Sequence, residues 1–279
     1  MATTITNAGL VERGQKAVLS FSGFADSTKA FIKGFNSAAL YGNGVSVPVI
    51  TTGAVNTSSM DFATDDANSI VFKNVVINKS AKTQFVLPGY QAAQLEPNFN
   101  QMIDAMLLKV SKQITDTAYA MFNVTKWPVA SNKVVVAAWS ETAPTLTALY
   151  SCVEAAKKTG KIDPNGIKVL MPSATYGLLK GALDSLPREA ALGFEVIPVY
   201  AASITQTCIT DTSAVALAIG ADIGVGPEQF EYIANADDSI GFGIHIIEDD
   251  KLQNITVAVR ATYAVEYAND TAFLWFANA

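Results

Sequence analysis

The chain has 279 residues, half of them apolar and only 16% charged, against the ~25% charged of ordinary soluble domains, so much of its surface is expected to be buried against partners. With 19 basic and 25 acidic residues the net charge is −6, which argues against tight, specific nucleic-acid binding through many neutralised phosphates. Two cysteines without Cys-x-x-Cys spacing, Cys152 and Cys208, and a single histidine, His245, exclude a disulfide framework and the common zinc patterns and leave few routes to triad chemistry.

The length suggests two packed regions or one elaborated domain. The N-terminus, Met-Ala-Thr-Thr-Ile-Thr, lacks a basic region followed by an apolar run, so an intracellular site of synthesis is expected. The most apolar stretch, Ser213 to Gly226, is interrupted by Asp222 and falls short of the ~20 residues a membrane-spanning helix needs.

Residues 1–44 are polar and glycine-punctuated with no sustained period, and read as an arm. From Val45 to about Leu87 the chain turns to β-branched residues and threonine. Its apolar runs Val47-Pro48-Val49-Ile50, Ile70-Val71-Phe72 and Val75-Val76-Ile77 predict a long two-stranded excursion. Such a ribbon is marginal alone in water, so it has to lie on something else. After Glu96-Pro97, the residues Phe99, Met102, Ile103, Met106, Val110, Ile114, Ala118 and Met121 recur at helical spacing. They predict one long helix to Asn123, roughly 26 residues or about 39 Å, a structural spine.

Residues 141–227 alternate between helix and strand. Thr145 to Thr159 reads as a helix closed by Gly160, Ile167 to Met171 as a short buried strand, and Ser173 as the cap of a helix ending near Leu186. Strands at Phe194–Val199 and Ala214–Ile219 complete a compact α/β subdomain. The last fifty residues read as β. A strand from Gly241 to Ile247 turns at Glu248-Asp249-Asp250 into a second strand. There Ile255, Val257, Val259, Ala261, Tyr263 and Val265 face one way and Thr256, Arg260, Thr262 and Glu266 the other.

The search for chemistry yields no catalytic, cofactor-binding or metal residue and no cofactor. His245 lies in a strand pattern between Ile244 and Ile246. The carboxylate clusters Asp65-Asp66, Asp237-Asp238 and Glu248-Asp249-Asp250 lack the alternating spacing of a calcium loop and read as solvated turns. The run Gly220 to Gly226 has neither the Gly-x-Gly-x-x-Gly order nor a Walker lysine and reads as a linker. Cys152 and Cys208 read as buried core thiols, and Phe273-Leu274-Trp275-Phe276 as the completion of a core.

The order of these parts resembles the major capsid proteins of tailed bacteriophages, the Hong Kong ninety-seven (HK97-like) fold of class α+β. The segments that carry the resemblance are the excursion through Ile70-Val71-Phe72-Lys73 into the helix Pro97 to Asn123, the step Lys168-Val169-Leu170-Met171-Pro172-Ser173, Leu192-Gly193-Phe194-Glu195-Val196-Ile197-Pro198, and the close from Ile247-Glu248-Asp249-Asp250 to Tyr267. The resemblance implies an N-terminal arm (1–44), an extended E-loop lying on an adjacent subunit (45–88), a peripheral domain with the spine helix (89–140) and C-terminal strands (228–279), and an inserted axial domain (141–227). It implies a structural protein, not an enzyme, found in the virion and assembled in the host cytoplasm. Its principal partner would be itself, in hexamers and pentamers that tile an icosahedral shell around double-stranded DNA without binding it specifically. Scaffolding, portal and cement proteins are further partners the resemblance allows, and no membrane is involved.

Some members of the family join a lysine near the E-loop tip to an asparagine of the peripheral domain. Here the expected tip, Asp61 to Ile70, contains no lysine, although Asn254 is present, so a non-covalent shell is expected. Three other readings stand beside this one: an encapsulin-type compartment shell of the same fold, an α/β enzyme with its site in 141–227, which would need convergent polar groups in a pocket, and a tail-tube or other phage structural protein, which would be β-rich without the long spine helix.

Overall fold

The computed structural model describes residues 36–37, 42–51, 69–88, 99–125, 127, 133–135, 139–184, 193–221, 229–234, 241–249, 254–269 and 271–277. Apart from Asn36–Ser37 and the residues from 42 on, the arm lies outside them, as do most of the expected E-loop tip and Asp237-Asp238.

Two larger sheets and one ribbon organise the described chain. Strand β1 (Asn36–Ser37) is followed by β2 (Gly44–Thr51) and β3 (Ser69–Val76), which pair antiparallel with each other from Gly44↔Val76 to Thr51↔Ser69. Then come β4 (Lys79–Pro88), helix α1 (Phe99–Tyr119), β5 (Lys133–Val135), α2 (Leu146–Lys158), β6 (Lys168–Pro172) and α3 (Ser173–Asp184). The series closes with β7 (Glu195–Val199), β8 (Cys208–Thr210), β9 (Val215–Gly220), β10 (Gln229–Ala234), β11 (Gly241–Asp249), β12 (Asn254–Tyr267) and β13 (Phe273–Ala277).

Strand β12 carries the six-stranded sheet. Its residues Asn254 to Tyr263 pair with β4 along one edge. On the opposite edge Asn254 to Arg260 pair with β11, and Thr262 to Tyr267 pair with β9, so β11 and β9 lie end to end along one strand. Strands β10 and β1 extend the sheet from β11 and β9. The expected excursion therefore has two fates. The segment 44–76 is a two-stranded ribbon, whereas β4 belongs to the central sheet.

The five-stranded sheet has the order β5-β13-β8-β6-β7. Strand β13 thus leaves the company of β10–β12, with which it is contiguous in sequence, while β9 joins β12 rather than β6–β8. The physical reason lies in the register of apolar residues. Phe273 and Trp275 face the main core beneath α1, and Leu274 and Phe276 face a second core under α2 and α3. A strand buried on both faces reads as a continuous apolar run, as this one does.

Helix α1 covers one face of the six-stranded sheet. Phe99, Ile103, Met106, Leu107, Val110, Ile114 and Ala118 are all buried against Val257, Val259, Ala261 and Tyr263. The helix ends at Tyr119, sooner than the apolar period suggests, because tighter backbone bonds take over from Met121 N to Ala118 O and from Phe122 N to Tyr119 O. Beyond them the Asn123 Oδ1 accepts from the Thr125 amide (2.9 Å) and hydroxyl (2.6 Å), an Asx turn that competes with helix. Helix α2 follows its reading: Thr145 accepts from the Ala148 amide at 3.2 Å, and Gly160 takes φ +68° just past the end.

The alternation along β12 holds up to Ala261 and then changes, for Thr262 and Ala264 are buried as well. The ribbon base lies over that face, placing Val47, Val75 and Ile77 on Ala216, Ala218 and Ala264. Thr262 is not solvated there, and its hydroxyl donates to the Gly220 carbonyl at 3.1 Å.

The two sheets meet at an aromatic cluster. Trp127 stacks on Phe273 (centroids 4.3 Å apart) and meets Tyr267 edge to face (4.8 Å), while Phe122 lies 5.8 Å from Phe273. Trp127→Ala should lower the stability of the unassembled chain by about 4 kcal/mol, since truncating a packed aromatic removes both transfer energy and packing. A urea titration checks this, and a loss under about 1 kcal/mol would mean that the cluster does not join the sheets.

Candidate functional site

Within the described part, His245, Glu248, Asp249 and Asn254 all belong to strands. His245 is 4% exposed in β11, opposite Phe230 and Ala258. Glu248 and Asp249 continue β11 beyond the expected turn, pairing with Ile255 and Asn254. Asn254 opens β12 between Asp249 and Pro88. Of the glycine run, Gly220 ends β9, and residues 222–228 lie outside the described part, as do Asp65-Asp66. Among the described residues there is no cluster of three or more His, Cys, Asp or Glu placed to hold a metal, and no helix is long and apolar enough to cross a membrane.

One carboxylate that the sequence reading passed over proves central to the α/β part. Glu141 Oε1 accepts from the Trp139 indole N–H (2.9 Å) and the Thr207 amide (2.7 Å), and Oε2 accepts from the hydroxyls of Thr207 (2.8 Å) and Thr175 (3.0 Å). It thereby ties the entry to α2, the first turn of α3 and the start of β8. Both oxygens are thus engaged by donors of the fold, the Thr175 hydroxyl being shared with the Glu141 carbonyl (3.1 Å), and the group serves as a structural acceptor. A local sequence signal for it scarcely exists, because apart from Trp139 its donors come from 34 and 66 residues away.

The buried thiols are equally inert. Burial first, and the nearby Glu141 charge second, push Cys152 up to about 12, and the same two causes raise Cys208. Burial also raises the Tyr119 phenol. These groups offer no nucleophile near neutral pH.

Several large apolar side chains among the described residues are exposed. On the ribbon, Phe72 is 66% and Val71 55% exposed, and Phe72 sits opposite the exposed Pro48. The two ribbon faces differ. Val45, Val47 and Val75 turn toward the sheet, whereas Pro48, Phe72 and Val76 turn away from it. At the far end of the α/β part Tyr200 is 77% exposed beyond β7, and Leu178 stands out from α3. A Phe left in water forgoes up to about 2 kcal/mol that burial against a partner would recover.

The thiols supply a pH prediction. An unfolded thiol ionises near 9.0 while Cys152 holds its proton to about 12, so the folded state binds that proton more tightly and is favoured below pH 9. Between those values stability falls as pH rises. At pH 8 a disulfide reagent should find no reactive thiol in the native chain and both after denaturation, and rapid native labelling would contradict the burial.

Comparison with protein-family models and with curated proteins finds no match. Solved structures do match along nearly the whole chain. A capsid chain of the cyanophage P-SCSP1u aligns with TM-score 0.53 and 13% identity over 93% of both chains. A chain of a structure from Mycobacterium phage Che8 aligns with TM-score 0.51 and 14% identity over 91% of this chain and 90% of the other. A capsid chain of Staphylococcus phage Andhra aligns with TM-score 0.51 and 12% identity, covering 90% and 85%. The chain therefore shares the mixed α+β fold of phage capsid chains.

Proposed function

We propose that this protein is the major capsid protein of a tailed bacteriophage, with a fold of the Hong Kong ninety-seven type, and that it acts by self-assembly rather than catalysis. The observation that carries the reading is the ribbon. Its Phe72 and Val71 are open to water in a chain whose fold is that of capsid subunits, and a second subunit would cover them.

In this reading 45–88 is the E-loop, of which β4 returns to the chain's own central sheet and only the outer part of the ribbon lies on a neighbour; 89–140 and 228–279 form the peripheral domain, 141–227 forms the axial domain, and 1–44 is an arm. Strands β9 and β13 cross between the two domains and lock them together. Hexamers and pentamers close into an icosahedral shell in the host cytoplasm and enclose double-stranded DNA in the virion. The net charge of −6 suits a wall that confines DNA without gripping its phosphates. Scaffolding, portal or cement proteins would complete the particle. No catalytic, metal or cofactor site is assigned, and the occupied oxygens of Glu141 support that reading.

Negative-stain electron microscopy of the chain expressed alone, or with a scaffolding protein, should reveal closed, uniform particles. Phe72→Asp should abolish them without changing the melting of the unassembled chain, because each contact would then bury a carboxylate at a cost of several kcal/mol. Normal particles from Phe72→Asp, or a persistent monomer from the parent, would overturn the reading. On denaturing gels of mature particles a single band is expected, since Asp61 to Ile70 contains no lysine.

A further inference from the structure

The ribbon base rests on an unusual support. Its own side chains are Val47, Val75 and Ile77, and among the described residues the apolar support beneath them is Ala216, Ala218 and Ala264, with Ala268 beside these. Interdigitated large and small side chains select one docking angle, and a flat layer of alanines does not. Sliding or tilting on that layer would keep most of the apolar burial. The chain enters the ribbon through Gly42, at φ +89°, and the backbone bonds Gly42 N to Ile77 O (2.7 Å) and Ile77 N to Asn43 O (2.9 Å) lie at its root, where they can act as a pivot.

A directional contact stands further out. Lys73, on the ribbon face that carries Val47 and Val75, donates to the backbone carbonyl of Tyr267 and lies 3.9 Å from the Glu266 carboxylate. Both acceptors belong to the end of β12, just past the alanine layer. A hydrogen bond to a fixed carbonyl has a narrow angular range, which apolar contact lacks.

We propose that Lys73 is a positioning residue that sets the angle at which the ribbon leaves the sheet, with the alanine layer as the bearing surface on which that angle would otherwise vary. The latch belongs to the single chain. Its consequence for assembly, a fixed direction for Phe72, rests on the shell reading.

The test uses the full chain with spin labels on Phe72→Cys and Gln113→Cys, both exposed positions, while the native thiols remain buried. A second labelled pair, Gln113→Cys with Glu154→Cys, lies within the body. Lys73→Met should broaden the ribbon-to-body distance distribution roughly two-fold, leave the body pair unchanged, and be corrected by Lys73→Arg. An unchanged ribbon distribution in Lys73→Met would overturn the latch, and so would equal broadening of both pairs, which signals general loosening. Because the measurement is made on unassembled chain, failure of the latch is separate from failure to form particles.

Discussion

Everything in this fold depends on how β12 hands the chain to β13. Residues 254–267 run the length of one sheet and residues 273–277 belong to the other. The passage between them is held at both sides. Ala268 and Asn269 donate their amides to the Ala214 and Ser213 carbonyls, the Asn269 side chain accepts from the Thr271 amide and hydroxyl, and the Thr210 hydroxyl reaches the Ala272 carbonyl at 3.1 Å. The aromatic cluster of Phe122, Trp127, Tyr267 and Phe273 fills the corner that this passage turns. Without the crossing, the two sheets would be joined only by loops and the core beneath α1 would lose one wall.

That core is shared. Leu170, Ile197, Cys208 and Phe273 come from the five-stranded sheet, and Ile244, Val257, Val259 and Leu217 from the six-stranded one. Helix α1 packs with residues of both, so displacing the α/β part would expose the spine as well as the sheet edge. Stiffness of this kind suits a body that must present surfaces at fixed places, and the polar groups inside it serve the same end. The hydroxyl of Thr117 lies 3.0 Å from that of Tyr263, joining helix to strand, and Glu141 gathers donors from three segments.

The readable part of this architecture was periodic. The stripe from Phe99 to Ala118, the cap at Thr145 with its closing Gly160, and the alternation of β12 as far as Ala261 all follow from local physics, and the structure places them as expected. The rest was set by contacts distant in sequence. The burial of Thr262 and Ala264 depends on a ribbon some two hundred residues earlier. The sheet joined by β13 was hidden because an apolar run says that both faces are covered and not by what. The short strands β5 and β8 are three residues each, too brief for any period. Glu141 carried no signal, since a carboxylate between serine and threonine looks like any solvated loop until its donors arrive from elsewhere.

The ribbon brings these strands of reasoning together. Two strands paired over eight residues are marginal in water, and here the base is stabilised from below by alanines and anchored by Lys73, while Phe72 on the outer face and Val71 beyond Lys73 stay exposed. The element is thus half solved by its own chain. Intramolecular burial holds the base on its own sheet, and in the shell reading that would spare association part of the cost of ordering it. The apolar remainder is enough to reward contact. A ribbon fully covered by its own body would have nothing to offer a neighbour, and one wholly exposed would invite indiscriminate pairing along its edges. The division between a ribbon face held on its own sheet and an outer face carrying Phe72 lies between those failures.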